Sequence, residues 1–399
     1  MDNKNKKKKT RKKIDKYAKR RMIALGIILI VIIVIINIFG RDDKVKYKDL
    51  KVLINNDEIS FKDVKVESNE NVYFSLSDVS NFFDKNIYYN DAEKELITTY
   101  NKHVALLKID ETFMVVNDSN IDLNGRLKEI NKKVYLPIND LEIVYDIEVD
   151  YSEDENIVII DSINKELTEA KTLKKVNVKE KNKLFSKSVQ KLEEGSKIFV
   201  IGEENKYYKI RTESGIIGYV KKNKVSELTK IRENYEEKKL SLNILEDNAE
   251  VKIYDEIKIE ESKLNVVNPS VVYLDKNSEI ATNAVVASDT FKEYAKNMDE
   301  KNIYLMPTLK NSGKVSSNLL TYAQRNKFIN ELYVFVVTNS AKGVYIDFEE
   351  IDDINSFYRF LIELTPKFKE SGLYVIVENN NLLDKTKLES IVDYVVEEK

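Results

Sequence analysis

The 399 residues contain no cysteine, no tryptophan and a single histidine, His103, and only 4 prolines. Without thiols the chain has no disulfides, no thiol nucleophile and no Cys-ligated zinc, and its folded parts rely on burial and hydrogen bonds alone. A lone histidine excludes Ser-His-Asp triads, paired-His zinc helices and most other metal clusters, so no metal or cofactor is expected and His103 is assigned to a strand or loop. The missing tryptophans remove the ring that most often stacks on sugar faces. Lysine-rich runs such as 179–183 are read as solvated faces, and no nucleic-acid partner is expected.

Charge and hydropathy are unevenly distributed. Residues 1–21 hold twelve Lys or Arg against two Asp, a net of +10, which against the formal −3 of the whole chain leaves −13 for residues 22–399. Residues 22–40 follow as an apolar run whose only polar side chain is Asn37. At 1.5 Å per residue a helix of that length is ~28 Å long, close to the thickness of a bilayer core. The run is long for a signal peptide and lacks a small-x-small cleavage pattern, so an uncleaved single-pass anchor is expected. The basic tail stays in the cytoplasm and the rest of the chain is extracellular. A buried core helix is the rival reading of this segment.

From residue 50 to residue 161 the sequence repeats with an offset of 62. Ile54-Asn55-Asn56-Asp57-Glu58-Ile59 matches Val116-Asn117-Asp118-Ser119-Asn120-Ile121, Val72-Tyr73 matches Val134-Tyr135, and Asp78-Val79 matches Asp140-Leu141. Ile87 and Tyr89 match Val149 and Tyr151. Each copy predicts a strand, a second strand entering a short helix (77–83 and 139–145), and a hairpin, and the two copies are expected to form one α+β unit. These residues resemble the copper amine oxidase-like N-terminal domain, a stalk module, over residues 48–165. The resemblance implies a spacer; one histidine supplies no copper ligand set.

Residues 172–227 alternate in short strands with glycines at the turns: Gly195 and Gly202, the run Tyr207-Tyr208-Lys209-Ile210-Arg211, then Gly218-Tyr219-Val220. The spacing predicts a small barrel. The pattern resembles the bacterial SH3-like domain, whose ligands include cell-wall peptide. Tyr207, Tyr208 and Tyr219 are read as core and rim aromatics of a scaffold in preference to ligand contacts.

From residue 240 onward, apolar runs of strand length (240–245, 264–267, 303–306, 344–348, 373–377 and 392–396) alternate with helical stretches, as a parallel α/β sheet requires. Phe328, Ile329, Leu332, Phe335 and Val336 share one helical face; Ile354, Phe357, Leu361, Leu364 and Phe368 share another. Asp352 or Asp353 is positioned to cap the second helix, and Gly372 follows its end. In Gly343-Val344-Tyr345-Ile346-Asp347-Phe348-Glu349, strand alternation sends Tyr345, Asp347 and Glu349 to one face and Val344, Ile346 and Phe348 to the other. Two carboxylates on one face suggest acid catalysis; acids also gather at strand-to-helix junctions because a helix N-terminus favours them.

Asn265-Val266-Val267-Asn268-Pro269-Ser270, then Leu319-Leu320 with Arg325 and Phe328-Ile329, then the run from Gly343 to Glu349, resemble in that order family 18 glycoside hydrolases. The resemblance implies that Glu349 is the general acid, that Asp347 orients the substrate's acetamido group, and that Tyr345 binds substrate. Residues 236–399 offer six strands where a closed (β/α)₈ barrel uses eight and ~250 residues. The expected architecture is therefore multidomain. A transmembrane helix leads to an α+β tandem-repeat stalk, then a small SH3-like β-barrel, then an incomplete, C-terminally truncated (β/α)₈ TIM-type barrel. The expected partners are cell-wall glycan and the membrane through one helix. The expected function is hydrolysis of N-acetylated glycans; the alternative is a catalytically inactive, truncated wall-binding or scaffold protein.

Overall fold

The computed structural model describes residues 50–67, 70–235, 239–245, 261–267, 271–274, 280–282, 296, 302–311, 319–379 and 383–397. The basic tail at 1–21, the apolar run at 22–40 and Asn268-Pro269-Ser270 lie outside the described residues. Among the described residues no helix is long and apolar enough to cross a membrane.

The tandem repeat folds as its offset predicts. Strands Lys51–Ile54 and Glu95–Tyr100 recur as Phe113–Val116 and Ile157–Ser162. The turns Asn55-Asn56 and Asn117-Asp118 hold positive φ at both central residues (48° and 75°; 44° and 67°). That is the mirror-image hairpin turn, which asparagine and aspartate tolerate. The copies interlock, because Lys51–Ile54 of the first pairs in parallel with Ile157–Ser162 of the second. Strands Val72–Ser75 and Lys133–Pro137 pair antiparallel with Phe74 opposite Leu136, a residue and its own 62-offset equivalent. A pseudo-twofold axis therefore passes between those two side chains. Asp78 accepts the backbone N–H groups of Lys62 and Asp63, both at 3.1 Å, and Asp140 accepts those of Asn124 and Gly125 at 2.9 and 2.7 Å. One apolar core, including Val52, Phe74, Leu136 and Val158, draws on both copies. His103 opens the strand His103–Lys108.

The SH3-like unit is a seven-stranded antiparallel sheet around Val178, Ile198, Ile210 and Val220, and it takes in Leu167–Lys171 and Thr229–Arg232 on either side of the expected range. Tyr208 packs against this core and Tyr219 donates its hydroxyl to Glu204 at 3.1 Å. The unit is welded to the tandem repeat. Ile216 and Ile217 pack on Leu53, Ile157 and Ile159. Arg211, 1% exposed, forks onto Asp161 at 2.9 and 2.5 Å.

In the C-terminal unit the sheet order follows the chain: Ser241–Ile244, Lys263–Val267 and Ile303–Leu305 in one parallel sheet. Val271–Leu274, Thr308–Asn311, Gly343–Asp347, Tyr374–Asn379 and Tyr394–Glu397 form a second, edged by the antiparallel Ile280–Thr282. The two join through Lys342, which donates to the Leu305 carbonyl at 2.9 Å, and Tyr345, which donates to that of Pro307 at 3.1 Å. The expectation of a TIM-type barrel is met only in part. Sequential parallel strands are present, but among the described residues no ladder joins the first strand to the last. The gap is bridged by side chains: the Tyr394 hydroxyl donates to the Leu240 carbonyl at 2.7 Å, the Lys239 ammonium lies 4.8 Å from the Tyr394 ring centre, and Leu240 and Leu242 share a cluster with Tyr394. Alternation splits the strand residues as expected: Leu264, Val266, Tyr345 and Ile376 cluster on the inner face, while Val344, Ile346, Phe348 and Val377 meet the helices outside.

Two helices cover the outer face. Thr321 and Gln324 form a reciprocal cap at the start of Tyr322–Thr338, and Asp353 caps Ile354–Glu370 by accepting from Asn355 and Ser356. The helices are tied by Arg325 and Glu363, each 2% exposed, at 2.8 and 2.7 Å, and Arg325 also reaches the carbonyls of Leu319 and Leu320. The tandem repeat is no free spacer, since it lies on these helices. Arg359 donates to the Asn86 carbonyl and sits 4.4 Å from the Tyr88 ring centre, and Lys367 pairs with Asp118.

Candidate functional site

The site stands where strands Thr308–Asn311, Gly343–Asp347 and Tyr374–Asn379 end, the end at which parallel α/β architectures place their chemistry. Gly343 opens the middle strand at φ +153°, and a Cβ there would fall 2.0 Å from the Tyr374 carbonyl oxygen, so only glycine lets the two strands pair. Four residues on, Asp347 lies beside Lys310 in the parallel ladder. The Lys310 ammonium reaches Asp347 Oδ2 at 2.8 Å and Glu349 Oε1 at 3.4 Å. The hydrogen bond to Asp347 holds the lysine's proton more tightly than usual.

The sequence expectation brought Asp347 and Glu349 to one spot. They do share a spot, but a cation occupies it. The strand ends at Asp347, Phe348 turns outward onto the Phe357 ring at 5.1 Å, and Asn311 accepts the Glu349 backbone N–H at 3.0 Å. This bend leaves the Glu349 side chain 72% exposed, whereas that of Asp347 is 19% exposed. Tyr345 is buried on the inner face and donates its hydroxyl to Glu378 Oε2 at 3.0 Å. Burial, reinforced by the Glu378 charge, pushes its phenol well above the ordinary 10.

Lys310 and Glu378 were missed by sequence reasoning. Lys310 sits in a four-residue strand just past Pro307, and Glu378 follows the apolar run 373–377 by one position; the alternation that selected Asp347 would have selected both. Arg325, by contrast, which carried part of the family likeness, serves to join two helices. A cavity of about 510 Å³ lies far from the acids, lined by Tyr100, Thr365, Tyr374 and Tyr394 where the tandem repeat meets the N-terminal ends of the strands. Among the described residues no group of three or more His, Asp or Glu is disposed to hold a metal ion.

Two family models match this chain. The copper amine oxidase N-terminal domain covers residues 53–160, and the bacterial SH3 domain covers residues 174–226. Comparison with curated proteins finds no match. Among solved structures the chain is similar to a chitinase from Bacteroides thetaiotaomicron, with 18% identity, TM-score 0.32, and coverage of 40% of this chain and 53% of that one. It is also similar to a chitinase from Chromobacterium violaceum, with 16% identity, TM-score 0.32, and coverage of 40% and 55%. A Group IV chitinase from Ostrinia furnacalis gives 16% identity, TM-score 0.30, and coverage of 33% and 42%. The chain spans about half the length of the solved structures it matches. The C-terminal architecture rests on its own strand order.

Proposed function

We propose that the chain is a cell-surface protein that holds N-acetylated wall glycan, peptidoglycan before chitin, on a glycoside-hydrolase-like C-terminal unit without cleaving it. The observation that carries this reading is the Lys310 ammonium between Asp347 and Glu349, with Glu349 open to water. A general acid works from an apolar or like-charged setting that keeps its proton on, and from a site closed to solvent. Glu349 has a cation beside it and solvent around it. Such a cluster suits recognition: Lys310 donates, Asp347 and Glu378 accept, and Tyr345 supplies a ring edge, together matching the hydroxyl and acetamido groups of an aminosugar. The SH3-like unit supports wall contact. In this reading residues 22–40 anchor the protein by a single span, with the basic tail in the cytoplasm and the folded units outside.

A second reading keeps the hydrolase, with Glu349 protonating the glycosidic oxygen and Asp347 steering the substrate's own acetamido group onto the anomeric carbon. The half-buried Asp347 beside Tyr345 and Glu378 at the strand ends favours it. Incubating the full chain in detergent with insoluble peptidoglycan, then measuring both retained protein and new reducing ends, separates the two. Retention without reducing ends, weakened by Lys310→Met, is the expected result. Reducing ends that vanish in Glu349→Gln would establish the hydrolase; absence of retention would sink the binding reading.

A further inference from the structure

In the SH3-like unit, strands Val176–Lys179 and Ser188–Leu192 are joined by a loop whose tip is Leu184-Phe185. Phe185 is 97% exposed and Leu184 60%. The loop is not slack: Glu180 donates its N–H to the Lys187 carbonyl at 2.9 Å, and Lys181 donates its own to the Ser186 hydroxyl at 2.8 Å. This bonding holds two large apolar side chains in water. Lys181, Lys183 and Lys187 flank them, all exposed. Of the nearby acids, Glu193 pairs with Lys175 and Glu204 is held by Asn182 at 2.6 Å and Tyr219 at 3.1 Å, which leaves the exposed Glu180 as the loop's own carboxylate against three lysines.

We propose that this loop is a membrane-docking tip, its apolar pair entering the interface of an anionic bilayer while its lysines pair with lipid headgroups. The shape selects the partner. Sugars are taken up in concave sites, and a soluble polyanion would need only the lysines, whereas a convex apolar tip ringed by cations matches a lipid surface of negative charge. The reading rests on the anchored topology proposed above. Residues 41–49, fully extended, reach at most about 30 Å from the bilayer to Leu50. Lys51–Ile54 then pairs with the strand whose Ile157 and Ile159 pack against the SH3-like unit. There Gln190, on the strand leaving the loop, reaches Ser214 at 3.0 Å. The strand leaving the loop is thus linked, through two successive contacts, to the strand that follows residues 41–49.

The chain's lack of tryptophan provides the test, because Phe185→Trp becomes its only indole. The full-length variant is reconstituted into vesicles of phosphatidylcholine with or without phosphatidylglycerol; flotation reports the anchor and indole emission reports the loop. The expected result is a blue-shifted emission quenched by brominated lipid in the anionic vesicles. Each Lys→Gln change at 181, 183 or 187 is expected to cut the ratio of inserted to free loop by about fivefold. Thermal unfolding unchanged by these surface substitutions confirms that folding is intact. Water-like emission from floated protein in anionic vesicles overturns the proposal, as does a shift indifferent to the lysines, or an equal shift produced by peptidoglycan without lipid. Failure to float overturns the anchor, a separate outcome.

Discussion

At the scale of single residues, three positions carry constraints that their neighbours cannot take up. Gly343 admits no Cβ, which would sit 2.0 Å from the Tyr374 oxygen. Gly343→Ala is expected to cost about 3 kcal/mol in denaturant melts by forcing the two strands apart. Arg211 is nearly sealed from solvent against Asp161. Asp161→Ala leaves that guanidinium buried and unpaired, an expected loss of about 3–5 kcal/mol, while a joint replacement of both by apolar residues should recover much of it. Lys310 holds two carboxylates, and Lys310→Met leaves them facing each other. The expected outcome is weaker retention on wall glycan with little change in melting temperature, because the cluster is partly solvated. Alternation marks Lys310 as inward-facing, but its pairing with Asp347 was not legible, since that depends on a ladder partner 37 positions away. Strand alternation is local and carried Asp347 to the inner side of the sheet, but it stops with the strand at Asp347 and does not describe Glu349.

Among elements, the 62-residue offset and the two short helices of the tandem repeat could be read, whereas the three- and four-residue strands Asp57–Ile59, Val64–Val66, Ser119–Asp122 and Lys128–Ile130 were too short to carry a pattern. Short parallel strands were harder. Val271–Leu274 and Thr308–Asn311 stand beside Pro269 and Pro307, and prolines argue against a strand until the fold shows where the ladder resumes. The loop at 180–187 misled in another way: its lysines read as a solvated face and hid Leu184-Phe185 among them. The contact between the repeat and the helix Ile354–Glu370 carries its own pH signature. Burial raises the Asp118 carboxyl, but hydrogen bonds from Lys367 and Asn326 outweigh this and hold it below its ordinary 3.8. Its folded value is therefore lower than its unfolded one. The stabilisation is present above pH 3.8 and is lost as the pH falls through the lower folded value. With Asp118 partly exposed, the expected effect is below about 1 kcal/mol. Acid titration of the melting temperature should show it in the native chain and not in Asp118→Asn.

For the whole molecule, the helix Ile354–Glu370 is the keystone. Its sequence pattern identified one apolar face, yet Tyr358, Ile362, Thr365 and Lys367 are buried as well, so it is covered on more than one side. That extra cover could not be read from periodicity because much of it is polar or amphipathic. Removing residues 50–165 is expected to speed hydrogen exchange throughout this helix, and unchanged protection would show that the C-terminal unit stands without the repeat. The central claim is that Lys310 holds the acid pair for recognition and not for proton donation. The most direct measurement is release of reducing ends from peptidoglycan by the full chain across roughly pH 4–8, where a catalytic acid would give a bell-shaped profile. No release at any pH, alongside retention on the polymer, is the predicted result; a pH-dependent release abolished by Glu349→Gln would contradict it.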